Sequence, residues 1–422
     1  MPHRDSAAGA GAASGQPAAF RLSSFVLPFY VPAFISSTGA AMVMPVLPLY
    51  ARSLGAGIAA TGVIVALFGL GSLLCNIPAG FAISRFGKRR AMIVSLIGEA
   101  ALSVMAGLVS SPYTLGLAIF GLGAVHSVFF ISRLTFFREL VPAAKRGRAL
   151  ALLGGEYRFG SFIGPIVGGF VAASLGYGSA FIGHAIASAV VLVFVVLWVP
   201  RDPAFVSRRA AANPEATQAD ASRPASLTRI FAILKDHASI FATAGASIVI
   251  LQLVRAGRQI IFPLWGDAIG LDVSQIGLIF GIMFAVETAV VYPAGMIMDR
   301  HGRKFAAVPC LLVLSGALAL LPMTSTFIGV LVVGVVSGVG NGLGSGINMT
   351  LSTDYAPTKN PGEFIGVWRM VVESGSTVGP VVIGSIADIF TLAASPIAIA
   401  AIGVIGAIFM VFTVKETLVR RS

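Results

Sequence analysis

Nine charged residues lie inside otherwise apolar stretches of this 422-residue chain. Four are acids (Glu99, Glu156, Glu287, Glu373) and five are bases (Arg133, Arg158, Arg255, Arg258, Arg369). A charge at the centre of a membrane helix costs about 2.5–3.5 kcal/mol, so nine isolated ones would cost roughly 25 kcal/mol. They are expected to be paired, neutralised or turned toward a hydrated cavity, the default sign of a transport path. Arg158, Glu287 and Glu373 fall near the middle of their stretches. A buried carboxylate holds its proton more tightly than a solvated one, so Glu287, Glu373 and Glu156 are candidates for a coupling proton. Arg369 and Glu373, spaced i, i+4, can pair along one helix face. Gln252, Arg255 and Gln259 share a face, with Arg258 beside Arg255. Glu156 and Arg133, toward the same end of adjacent stretches, read as a structural pair. His126 reads more readily as an interhelical hydrogen-bond partner than as a proton carrier.

The elements that must position these groups are membrane helices. Hydrophobic residues make up 56% of the chain and charged ones 11%, with a mean hydropathy of +0.91; soluble chains are about 25% charged. Twelve apolar stretches of the required ~20 residues lie near 24–50, 59–83, 90–110, 113–137, 147–174, 177–199, 239–265, 273–297, 304–322, 327–351, 363–388 and 394–414. No ten-residue alternation of the β-barrel kind is present. The first stretch is too long for a signal-peptide core. The small, polar residues 1–22 predict a disordered tail. The segment 200–236 reads as a linker ending in a short surface helix (Leu227 to Lys235), which separates bundles at 23–199 and 237–414; residues 415–422 form a second tail. Cys75 and Cys310 lie in apolar runs and suffice neither for a disulfide framework nor for a four-ligand zinc site.

The net charge of +12 invites a nucleic-acid reading, which the positions of the charges oppose. Apart from the five intramembrane arginines and Arg52, every lysine and arginine falls in the tails or in loops on the N-terminal side of the membrane. The positive-inside rule therefore places both termini in the cytoplasm.

The two halves match at a constant offset of 215 residues. Pro48, Gly62, Pro78, Arg85 and Gly87 map to Pro263, Gly277, Pro293, Arg300 and Gly302. Glu139 maps to Asp354, and Gly160, Gly164, Pro165 and Gly169 map to Gly375, Gly379, Pro380 and Gly384. Such a register implies two parallel six-helix repeats with a substrate site at mid-depth between them. In that register His126 meets Asn341, and Arg158 meets Glu373 with opposite charge.

Three segments resemble signatures of the major facilitator superfamily. Gly80-Phe81-Ala82-Ile83-Ser84-Arg85-Phe86-Gly87-Lys88-Arg89-Arg90 is similar to its loop between helices 2 and 3, and Gly295 to Lys304, with Asp299, Arg300, Gly302 and Arg303, is a fuller copy between helices 8 and 9. Gly160 to Gly169, with Gly164, Pro165 and Gly168, resembles the helix-5 signature of the drug–proton antiporter branch. The chain departs from the family at Ser84, where an acid holds a charge latch, and at Leu117, where proton-linked members often carry arginine.

The resemblance implies a multi-pass transporter of the cytoplasmic membrane that exports amphipathic organic molecules in exchange for protons by alternating access. It packs helix 5 against helix 8, so that Arg158 and Glu287 are expected to pair. Helix 3 is peripheral, which favours a structural role for Glu99. Helix 7 lines the cavity, where Arg255 and Arg258 would suit an anionic or zwitterionic solute instead, or pair with acids such as Asp267 at an outer gate. Tyr30, Phe34, Trp368, His126 and Asn341 complete the cavity candidates. Enzyme motifs of the DDxxD, HExxH, GxSxG and P-loop kinds are absent from the sequence, so neither catalysis nor a cofactor or metal is expected. A monomer is expected.

Overall fold

The structure, a computed structural model, describes residues 26–141, 146–199, 227–358 and 361–417. The tail expected over 1–22, the linker over 200–226 and the end of the C-terminal tail lie outside the described residues, as do Lys145, Arg201 and Lys359.

Twelve helices are long and apolar enough to cross a membrane, and the described residues contain no strand. They are α1 (Val26–Ser53), α2 (Ile58–Phe86), α3 (Lys88–Leu108), α4 (Pro112–Leu140), α5 (Arg146–Leu175), α6 (Gly178–Trp198), α7 (Ala238–Ala268), α8 (Val273–His301), α9 (Lys304–Met323), α10 (Phe327–Asp354), α11 (Pro361–Ile389) and α12 (Ala394–Thr413). All twelve expected stretches are present. The surface helix is present too, over Leu227–Asp236, and Arg229 ties it to Glu363 of α11 at 2.8 Å.

Local chemistry sets the ends. α8 opens with a capping box: Asp272 Oδ1 accepts from Ser274 N at 2.6 Å while Gln275 Oε1 accepts from Asp272 N at 3.1 Å. α2 and α8 stop at Gly87 (φ 83°) and Gly302 (φ 117°), a left-handed conformation that glycine adopts without a Cβ clash. This gives the second glycine of each loop signature its physical reason. α10 breaks at Gly344–Gly346, with Gly346 at φ 85°.

Repeat-related contacts recur across the 215-residue offset. Arg89 donates to the carbonyls of Val199 (2.9 Å) and Val196 (2.7 Å); Lys304, in the slot of Arg89, donates to Val411, in the slot of Val196, at 2.8 Å. These bonds gather the α2–α3 and α8–α9 loops and the ends of α6 and α12 on one face, here called the basic face.

The halves meet along two helix pairs, α2 with α11 and α5 with α8. Near the opposite face the approach is backbone on backbone. A Cβ on Gly62 would collide with the Pro380 carbonyl, and a Cβ on Gly277 with the Pro165 carbonyl. Small residues allow such close approach. Gly80 and Gly295 lie eighteen residues, or about five helical turns, farther along the same helix faces, and a Cβ there would meet nothing within 4 Å. The same holds for Gly154, Gly362 and Gly366 on the partner helices. The two pairs therefore touch near the opposite face and part toward the basic face, leaving a cleft between the halves.

Candidate functional site

Three charged residues fall on the helix faces that line this cleft. Arg158 stands on the α8-facing stripe of α5, two turns from Pro165. Arg369 and Glu373 stand on the α2-facing stripe of α11, beyond the last contact of Thr377 with Gly69. Arg369 Nε lies 2.5 Å from Glu373 Oε1, the i, i+4 pair that the spacing predicts.

The expected pairing of Arg158 with Glu287 is not formed. Arg158 Nη2 instead donates to Ser345 Oγ at 2.8 Å, which joins the halves at the break in α10. Glu287 accepts from Arg258 Nη2 at 3.1 Å. The reason is helix geometry: α7 and α8 belong to the same half, so Arg258 reaches Glu287 without crossing the cleft. Arg258 is 2% exposed and Glu287 14%, and the guanidinium carbon lies 5.6 Å from the Phe284 ring centroid, a cation–π contact. Arg258 Nε and Nη1 are buried with no partner. An unsatisfied buried donor costs about 1–3 kcal/mol, so this guanidinium is kept incomplete at a price in stability.

Arg255 also differs from its expected role. Its Nη1 donates to Gln252 Oε1 (3.1 Å) and its Nη2 to the Gly344 carbonyl (2.8 Å). At the break in α10 that carbonyl keeps only a turn bond from the Ile347 N–H at 3.3 Å, and Arg255 adds the shorter second donor. Arg255 is therefore held at the helix break. Neither Arg255 nor Arg258 pairs with Asp267. Asn341 is 8% exposed with its Oδ1 unpartnered. It stands on α10 between Gly334, which faces Phe262, and Gly344, which faces Arg255.

Glu156 and Arg133 do not form the expected ion pair. Arg133 lies over Phe129 (5.4 Å) and Phe130 (5.9 Å), and Glu156 Oε2 is buried without a hydrogen bond. Tyr30 and Trp368 leave the cavity set. The Tyr30 hydroxyl donates to Ala149 O, and Trp368, 1% exposed, donates to Asn348 Oδ1. Both are packed side chains. Phe34 and Gln259 remain half-buried. His126 donates to, or accepts from, Glu99 at 3.0 Å.

On the basic face the C-terminal half carries an acid latch. Arg303 Nε donates to Asp354 Oδ2 at 2.8 Å, and the backbone N–H groups of Arg303 and Lys304 donate to the Glu416 carboxylate (2.8 and 3.1 Å). The hydrogen bond from Arg303 to Asp354 holds the guanidinium above its ordinary pKa. Ser84, in the slot of Asp299, only returns its hydroxyl to Phe81 O. Two partners escaped the sequence reading, Ser345 and Glu416. The Gly342-Leu343-Gly344-Ser345-Gly346 run is the signal that marks the first; Glu416 sits in a tail with no motif to mark it.

The family model described as Major Facilitator Superfamily matches residues 30–256 and 246–422. An uncharacterized MFS-type transporter of Methanocaldococcus jannaschii is 22% identical over 384 residues, covering 88% of this chain and 94% of the relative. Multidrug resistance protein 1 of Bacillus subtilis is 25% identical over 364 residues, covering 84% and 88%. A shorter match, 29% over 123 residues, covers 29% of this chain and 32% of the uncharacterized MFS-type transporter YfkF of Bacillus subtilis. Among solved structures, the nucleoside transporter NupG superposes with TM-score 0.72 at 16% identity, covering 93% and 99%. An inward-facing bacterial homologue of the human lysosomal transporter Spinster superposes with TM-score 0.73 at 15% identity, covering 93% and 95%. Matched over nearly its whole length and sharing that twelve-helix fold, the chain belongs to the major facilitator superfamily of membrane transporters.

Proposed function

We propose that the protein exports amphipathic organic molecules across the cytoplasmic membrane in exchange for protons, with Glu287 as the coupling carboxylate. The observation that carries this reading is the Arg258–Glu287 pair, buried at mid-depth beside Phe284 with two guanidinium donors left open. While ionised, Glu287 offsets the charge of Arg258. A proton on Glu287 removes that offset, so an amphipathic substrate, Arg258 and a proton all compete for one carboxylate. The multidrug resistance relative lends the substrate class. Taking the basic face as cytoplasmic, the parted helices leave the cleft open to the cytoplasm, the state that loads an export substrate. The anion reading is weaker, because Arg255 is engaged by Gly344 and Gln252.

The test is transport of ethidium, an amphipathic aromatic cation, by proteoliposomes. E287Q is expected to abolish movement driven by a pH gradient while ethidium–ethidium exchange persists. If E287Q keeps gradient-driven transport, the mechanism is wrong.

A further inference from the structure

A second buried acid lies away from the cleft. Glu99 of α3 is 1% exposed. Its carboxylate lies 3.0 Å from His126 Nδ1 of α4 and accepts from Ser188 Oγ of α6 at 3.4 Å. One turn along both helices, Ser103 Oγ lies 3.0 Å from His184 Nδ1. α3 and α6 are thus joined by a four-residue polar ladder inside an apolar bundle.

The other half shows that packing does not need this ladder. At the 215-residue offset, Glu99, Ser103, His184 and Ser188 correspond to Leu314, Leu318, Ile399 and Gly403. The first three of these are fully buried in the C-terminal half. The same helix contact is therefore built there without an ionisable side chain, Ser315 being the polar group against Gly403, whereas burying a carboxylate is costly.

The tautomer follows from the partner. A carboxylate only accepts, so His126 Nδ1 carries the hydrogen and Nε2 keeps a free lone pair. The His126 ring is 30% exposed. Ile119, Leu122 and Phe129, at i−7, i−4 and i+3 on the same face of α4, are buried, so the ring faces inward and its open edge is reached from between the halves. We propose that Glu99 and His126 form a proton-binding site of the N-terminal half, in which a proton from the cleft enters at His126 Nε2 and the imidazolium is balanced by the Glu99 carboxylate. The other charged groups in the electrostatic surroundings are His184 on α6 and Arg133 on α4, with Glu156 beyond Arg133. α2 presents Phe68 and Asn76 here.

The chain has five histidines, so ¹⁵N-histidine NMR of the full protein in micelles can resolve them, with H126N assigning the signal. As the pH is lowered, Nε2 of His126 is expected to take up a proton while Nδ1 keeps its own. E99Q should weaken that binding about tenfold or more, and E287Q should leave it unchanged, which separates this site from the transport reading. The variant E99L/S103L/H184I/S188G, carrying the residues of the other half, should unfold within a few degrees of wild type and bind the proton as weakly as E99Q. A His126 ring that does not titrate, or titrates alike in E99Q, overturns the proposal. So does collapse of both Glu99 variants, which would make the ladder structural.

Discussion

In the C-terminal half Arg258 and Glu287 meet at 3.1 Å; the same slots of the N-terminal half hold Val43 and Ser72. In the N-terminal half Glu99 and His126 meet at 3.0 Å, where the C-terminal half has Leu314 and Asn341. The crossings between the halves and the bonds on the basic face are nonetheless shared. The collisions awaiting a Cβ at Gly62 and at Gly277 fall on repeat-related prolines, and Arg89 and Lys304 bond repeat-related carbonyls. The frame is common to the halves and the buried charge is not. A group that one copy of a frame omits without loss of packing is present in the other for a purpose other than packing.

The largest test of that contrast removes one charge. R258M leaves Glu287 buried and unpaired, which should cost about 3–5 kcal/mol in thermal unfolding of the detergent-solubilised protein. The double variant R258M/E287M should recover most of the loss, because apolar replacement of a whole buried pair is often neutral. A double variant as unstable as the single would mean that the pair holds the fold together.

The shared frame predicts matched effects next. G62V and G277V overpack equivalent crossings and should each lose about 1–3 kcal/mol, with spin-label distances across the opposite face lengthening alike. G80A and G295A, which meet open space, should change those distances little. Unequal responses of Gly62 and Gly277 would break the symmetry of the frame.

The smallest effects belong to the basic face. E416Q weakens the acceptor at the start of α9 and should cost about 0.5–1 kcal/mol in unfolding measurements. S84D, which gives the N-terminal loop the acid found at Asp299, should stay within about 0.5 kcal/mol, as exposed charges do.

The frame was legible because its signals are local and repeated. Apolar length marked each helix, basic loops marked one face, and the glycine–proline register marked the crossings. The pairing of charges was less legible, because it depends on which helix faces meet. The sequence pointed Arg158 at Glu287, and only the side-by-side placement of α7 and α8 gives that acid to Arg258. Arg255 looked free because nothing but the break at Gly344 reveals the carbonyl that engages it. Arg369 and Glu373 were readable, since both members lie on one helix. Glu99 and His126 were each singled out, but separately; the ladder that links Glu99 to Ser188 and His184 to Ser103 spans helices far apart in sequence. Its signature was present at the 215-residue offset, where Leu314, Leu318 and Ile399 replace it.

Counting protons released when ethidium binds the detergent-solubilised protein, in weak buffer with a pH indicator, tests most directly whether Glu287 couples substrate to protons. Wild type and E373Q should release protons as ethidium binds, because ethidium and a proton compete for one carboxylate, and E287Q should bind ethidium without release. Equal release from wild type and E287Q would contradict the account.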